Sequence, residues 1–174
     1  MADVTLYISS NLRSFDTEPV TAEALSFLPK SPGKGIARCN GLSMAQKILI
    51  VEDNSDLSQL LGFYLSDAGY ETSLAGNLAQ GISKALAERP DLIITDLYLP
   101  DMNAVDATVI LKQDPATSDI PIVVLTAMAV GEWKTKARKA GAAKYLIKPV
   151  SPPELTEVAC GLHFPPRRGL LIGG

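Results

Sequence analysis

Four short aliphatic runs in this chain each end on polar residues, carboxylates after the first two, a hydroxyl after the third and an amine after the fourth. Lys47-Ile48-Leu49-Ile50-Val51 runs into Glu52-Asp53, and Leu92-Ile93-Ile94-Thr95 into Asp96. Ile122-Val123-Val124-Leu125 runs into Thr126, and Tyr145-Leu146-Ile147 into Lys148, with Pro149 behind it. Short β-branched runs of this kind predict buried strands of a parallel sheet. In such sheets the functional crevice lies outside the carboxyl ends of the strands. Three carboxylates, a hydroxyl and an ammonium are therefore expected to meet in one place, a set able to hold a divalent cation and a phosphoryl group.

Between these runs the pattern is helical. Leu57, Leu60, Leu61, Tyr64, Leu65 and Ala68 fall at spacings of three and four and predict one apolar helical face, with Asn54, Ser55 and Asp56 as cap-like residues and Gly69 at the end. A short strand over residues 70–75 follows. Asn77 then caps a second helix with Leu78, Ile82, Ala85 and Leu86 inward, ending before Pro90. A third helix is expected over 104–112, a fourth carries Trp133, Ala137 and Ala140 before Gly141, and a fifth strand covers 143–147. Ser151-Pro152-Pro153-Glu154 is a capping box with proline in the first turn; it opens a fifth helix with Leu155, Val158, Ala159 and Leu162 on one face. Five strands alternating with five helices imply right-handed βαβ crossovers. The expected fold is a three-layer, doubly wound α/β domain with a five-stranded parallel sheet.

Composition narrows the function classes. The 174 residues are 47% hydrophobic and 20% charged, an ordinary globular balance, and the net charge of −3 argues against a broad nucleic-acid footprint. The two cysteines, Cys39 and Cys160, lie far apart and His163 is the single histidine, which excludes a zinc motif. Reduced thiols are the plain expectation. No apolar run approaches the ~20 residues of a membrane span, and the N-terminus lacks the basic and apolar regions of a secretory signal. Cytoplasmic localisation, with no membrane partner, follows by default.

Residues 1–44 show no sustained period and are punctuated by Pro19, Pro29, Pro32, Gly33 and Gly35. They read as a poorly ordered extension, with one short helix possible over 21–27 and Met44 as a candidate internal start. Gly33-Lys34-Gly35 lacks the spacing of a phosphate-binding loop. The functional domain is expected over 45–164, with a flexible tail over 165–174.

Residues 46–163 resemble the receiver domain of two-component response regulators, of the flavodoxin-like fold. The resemblance rests on Glu52-Asp53, on Asp96-Leu97-Tyr98-Leu99-Pro100-Asp101-Met102, on Thr126-Ala127 and on Lys148-Pro149, in the family's order and at strand ends one, three, four and five. It implies that Asp96 accepts a phosphoryl group from a phosphohistidine of a sensor histidine kinase or phosphotransfer protein. It implies Mg²⁺ as cofactor, with Asp53 and Asp96 as direct ligands, Glu52 through a water, and the backbone carbonyl of Tyr98 as a neutral oxygen. Lys148 supplies a second cation, Thr126 donates its hydroxyl to the phosphoryl group, and Tyr145 is the switching aromatic ring. The peptide before Pro149 is expected cis by the same resemblance. The helix 4/strand 5/helix 5 face would then change shape and signal to a downstream protein target.

Two departures from the family stand out. Ala104 occupies a position that is commonly glycine, and it would cost about 1 kcal/mol if positive φ were needed there. The fifth helix is short, stopped by Pro165-Pro166, which weakens any expectation of the family's usual dimer. Tyr98 and Met128, two residues past Asp96 and Thr126, are bulky where the family places the path of hydrolytic water, so a long-lived aspartyl phosphate is expected.

Taken singly, each motif has a plainer explanation. Glu52-Asp53 could be a helix N-terminal charge, Thr126 an N-cap and Lys148 a solvated lysine. Independent caps and turns need not fall on four strand ends in this order, and the joint reading wins. Trp133 is assigned to packing or a partner surface, Asp101 and Asp106 to solvent, and His163 to no role. The expected function is a stand-alone, non-enzymatic phosphoacceptor with no appended output domain and no direct nucleic-acid contact. The alternatives are a constitutive interaction domain and, more weakly, an aspartate-nucleophile phosphohydrolase. The hydrolase usually has a second aspartate where this chain has Tyr98.

Overall fold

A strand that is apolar on both faces is stable only between two covering layers, and the helical segments of this chain supply them. The computed structural model describes residues 46–127 and 131–162. In chain order they form β1 (Lys47–Val51), α1 (Ser55–Asp67), β2 (Glu71–Ala75), α2 (Leu78–Glu88), β3 (Leu92–Asp96), α3 (Ala104–Gln113), β4 (Ile122–Thr126), α4 (Gly131–Ala140), β5 (Lys144–Ile147) and α5 (Pro152–Gly161). All four strand pairings are parallel, in the order β2-β1-β3-β4-β5. The doubly wound, five-stranded sheet is as expected, with element ends within a residue or so of the sequence pattern. The expected extension, tail, short N-terminal helix and Met44 lie outside the described residues.

The period of two along each strand divides the core into two halves. Leu49, Val51, Ile93, Ile122 and Val124 face Leu78 and Ala85 of α2, Ala104 and Leu111 of α3, and Ala137 of α4. Ile48, Ile50, Ile94, Val123 and Leu125 face Leu61 and Leu65 of α1 and Leu155 and Ala159 of α5. Asn54, Asn77, Asn103 and Ser151 cap α1, α2, α3 and α5 through their side-chain oxygens.

Two residues expected inward point out. Leu60 is 47% exposed and Leu86 40% exposed. The contact lines of α1 and α2 instead run through glycines. A Cβ on Gly62 would meet Leu74 at 3.4 Å, and one on Gly81 would lie 2.8 Å from Val51 Cγ2. A search for large apolar residues cannot see a face set by close backbone approach. Cys160 on α5 is disulfide-bonded rather than a reduced thiol, which corrects that expectation: sequence separation carries no information on thiol pairing. Among the described residues no helix is long and apolar enough to cross a membrane.

Candidate functional site

The chain leaves β1 to one side, for β2, and returns across it to β3 on the other. The connections diverge at the carboxyl ends of β1 and β3, which opens a crevice there. The register sets what reaches it. Val51 lies beside Thr95, Asp96 beside Leu125, and Thr126 beside Ile147. With neighbouring strands ~4.8 Å apart, the ends of β1 and β5 are separated by three steps, about 14 Å, which opposed long side chains can close.

Lys148 closes that distance. Its Nζ donates to Asp96 Oδ2 at 2.7 Å and to Glu52 Oε2 at 2.7 Å. Its backbone N–H is held by the Thr126 carbonyl at 2.7 Å, and the Lys148–Pro149 peptide is cis, as expected. Glu52 is only 4% exposed; its backbone N–H donates to the Ala75 carbonyl, and its Oε1 accepts from the Asn54 N–H at 3.4 Å. Burial pulls the Lys148 pKa down, but the hydrogen bonds and attraction to Asp96 and Glu52 outweigh it and leave the pKa raised. The ammonium is therefore charged at neutral pH, and two partly desolvated carboxylates share it.

The other expected residues lie on, or within two residues of, the carboxyl-terminal parts of β1, β3, β4 and β5. Asp53 is exposed at the start of the β1–α1 loop, Thr126 is fully buried at the end of β4, and Tyr145 is half-buried on β5 against the α4 side of the core. Tyr98 is exposed, and its ring meets Trp133 edge-to-face with centroids 5.5 Å apart. Lys136 Nζ lies over Trp133, 4.7 Å from its centroid. Trp133 thus packs on the ring two residues past Asp96, a pairing with no signal in local sequence. Met128 and His163 lie outside the described residues.

Among the described residues no group of three His, Cys, Asp or Glu side chains is gathered as a ready metal-ligand set. What lies between Glu52 and Asp96 is the Lys148 ammonium. The chemistry of the donors nonetheless fits magnesium. All are hard carboxylate oxygens, and one ammonium offsets only part of the charge of Glu52, Asp53 and Asp96.

Two points about the β3–α3 loop were not in the sequence pattern. Asp101 is exposed, as expected, and also accepts the Leu78 N–H at 3.1 Å and the Ala79 N–H at 2.8 Å, from more than twenty residues away. The hydrogen bond from Ala79 leads the causes that hold its pKa below the ordinary carboxylate value. Ala104 carries no positive φ; it opens α3, is fully buried, and donates its N–H to the Leu97 carbonyl at 2.9 Å. The anticipated strain is absent, because the loop closes without a left-handed residue.

A family model described as the response regulator receiver domain matches residues 48–159. The DNA-binding response regulator MtrA of Mycobacterium tuberculosis is 36% identical over 113 residues, covering 65% of this chain and 48% of MtrA. The chain thus spans about half the length of such relatives. The polar-differentiation response regulator DivK of Brucella anthropi is 33% identical over 114 residues, 66% of this chain and 93% of DivK. Among solved structures, the chemotaxis response regulator CheY4 of Vibrio cholerae superposes with a TM-score of 0.64 at 29% identity, over 67% of this chain and 97% of CheY4.

Proposed function

The chain belongs to the response regulator receiver domain family, and from that premise we propose that Asp96 takes a phosphoryl group from a phosphohistidine of a sensor histidine kinase or phosphotransfer protein. The observation that carries this reading is Lys148 Nζ held 2.7 Å from Asp96, at the carboxyl end of β3. A carboxylate oxygen of Asp96 attacks phosphorus, the N–P bond breaks, and the imidazole leaves with the bonding pair. Little covalent chemistry is asked of the protein, so positioning and charge neutralisation dominate. Asp53 and Asp96, with Glu52 through a water and the Tyr98 carbonyl, would hold Mg²⁺. When bound, the ion supplies positive charge to the transferring phosphoryl oxygens. Lys148 supplies the second positive charge, and is released from sharing as phosphate oxygens replace the Asp96 carboxylate as its partner. Thr126 donates its hydroxyl to the phosphoryl group, and Tyr145 turns inward as Thr126 moves. The face made by α4, β5 and α5 is then read by a downstream protein, in cytoplasmic phosphorelay signalling. New contacts to the phosphate bias two existing states, and a few kcal/mol change which one dominates.

Incubation with acetyl phosphate and Mg²⁺, read by intact mass, tests this. One added phosphoryl group, absent from Asp96→Asn, is the expected result. No gain in the wild-type chain would favour a constitutive interaction domain.

A further inference from the structure

We propose that Asp101 is a positioning residue for the loop that carries the phosphoacceptor; this rests on the role given to Asp96 above. The loop between β3 and α3 begins at Leu97, directly after Asp96, and returns at Ala104. Its stem is closed by the Leu97 N–H on the Leu125 carbonyl at 2.7 Å, the Ala104 N–H on the Leu97 carbonyl at 2.9 Å, and an antiparallel bridge between Tyr98 and Asn103. These bonds fix the loop's neck, and Leu99 and Met102 pack its outer turn on the core beside Leu78 and Ile82. Asp101, exposed between them, adds a directional polar attachment. Its two oxygens each take a separate backbone N–H of α2, from Leu78 and Ala79.

The attachment is directional and charge-assisted. The amides it uses are orphan donors of the first helical turn, and α2 already has local caps: Asn77 Oδ1 accepts the Gln80 N–H at 2.8 Å, and Gln80 Oε1 accepts the Gly76 N–H at 2.9 Å. A helix so capped gains little further order from a third acceptor. The loop gains a hydrogen-bonded anchor onto α2 beside the apolar packing of Leu99 and Met102. Tyr98 on Trp133 braces the opposite side against α4. The backbone at Tyr98, three residues before Asp101, is therefore fixed between two helices, and with it the carbonyl assigned to Mg²⁺.

Three variants of the full chain separate anchoring from plain helix capping. Asp101→Ala removes the anchor. Asp101→Asn keeps one acceptor oxygen. Asn77→Ala removes a local cap of the same helix and leaves the loop attached. Amide hydrogen exchange at Ala104, read by NMR, is expected to accelerate on the order of tenfold in Asp101→Ala, less in Asp101→Asn, and little in Asn77→Ala. With acetyl phosphate, the Mg²⁺ concentration for half-maximal phosphorylation should rise in the same order, on the order of tenfold for Asp101→Ala, with a smaller change in maximal rate. Equal exchange in Asp101→Ala and Asn77→Ala, or an unchanged Mg²⁺ requirement in a phosphorylatable Asp101→Ala, overturns the proposal. If the wild-type chain gains no phosphoryl group, the function proposed for Asp96 falls, and the exchange comparison alone decides the anchor.

Discussion

The two ends of the sheet carry the same charge ratio in different surroundings. At the amino ends, Lys47 meets Glu71 at 3.0 Å and Glu88 at 3.6 Å, while its backbone N–H is held by Asp91 Oδ2 at 2.7 Å. That is three carboxylates around one lysine. At the carboxyl ends, Glu52 and Asp96 hold the Lys148 ammonium, and the exposed Asp53 follows Glu52 in the chain. Glu71 is 56% exposed, so water screens the excess negative charge at the amino ends, whereas Glu52 is almost sealed from solvent. Counting charges makes the two clusters equivalent. The difference lies in which carboxylate meets the ammonium: buried Asp91 takes only a backbone N–H and the Lys47 ammonium meets exposed Glu71, whereas the Lys148 ammonium meets nearly sealed Glu52, where positive charge is stabilising.

Removing the lysine from each end should break the equivalence most strongly. Lys148→Met leaves Glu52 buried beside Asp96 with no cation, and should destabilise the metal-free chain by about 2–3 kcal/mol, somewhat under the cost for a fully buried pair. Lys47→Met should cost less than about 1 kcal/mol. Urea denaturation of both variants reads the difference, and equal losses would refute the role given to burial. Magnesium should sharpen the contrast. At about ten times its dissociation constant it should stabilise the wild-type chain by about 1.4 kcal/mol. Calorimetry should show that gain lost in Asp53→Asn and retained in Lys47→Met.

Packing beneath the carboxyl ends gives a smaller effect. Gly81 lets α2 approach Val51, the residue before Glu52, and a methyl group there would sit 2.8 Å from Val51 Cγ2. Alanine ordinarily improves a helix interior by about 0.5–1 kcal/mol over glycine, while overpacking costs about 1–3 kcal/mol. Gly81→Ala should therefore destabilise by about 1 kcal/mol, measured by thermal unfolding.

What was legible in the sequence follows from the range of each interaction. The strands were readable because both faces of each are buried, so their runs are continuously apolar. The convergence of Glu52, Asp96 and Lys148 was readable because strand ends in a parallel sheet share one edge. The cap at Asn54 was readable because capping acts within three residues. The face of α2 was legible at Leu78, Ile82 and Ala85; Leu86 lies outside it, and the close approach at Gly81, which has no side chain, was not legible. Asp101 is exposed as read, but its bonds were not legible, because its partners, Leu78 and Ala79, are more than twenty positions away and backbone amides carry no sequence identity. The Tyr98–Trp133 contact was hidden for the same reason: it joins a loop after β3 to a helix after β4.

Alkaline titration gives the smallest expected difference. Both lysines have raised pKa values. Hydrogen bonding to Glu71 leads for Lys47; for Lys148, burial opposes the shift, and the bonds to Asp96 and Glu52 overcome it. A group whose folded pKa exceeds its unfolded value stabilises fully below the unfolded value, here 10.5, and loses that contribution as pH rises through the folded value. The stability gap between wild type and Lys148→Met should thus stay constant from pH 7 to about 10 and narrow above that. The gap for Lys47→Met should narrow over the same range by a smaller absolute amount, since it starts smaller. Salt separates the two further, because the ion pair to exposed Glu71 is screened over about 10 Å at 0.1 M, while the pair to buried Glu52 is screened much less. Denaturation at pH 9 with and without added salt should shrink the Lys47 gap and leave the Lys148 gap nearly unchanged; equal salt sensitivity would mean that water reaches Glu52 as freely as it reaches Glu71.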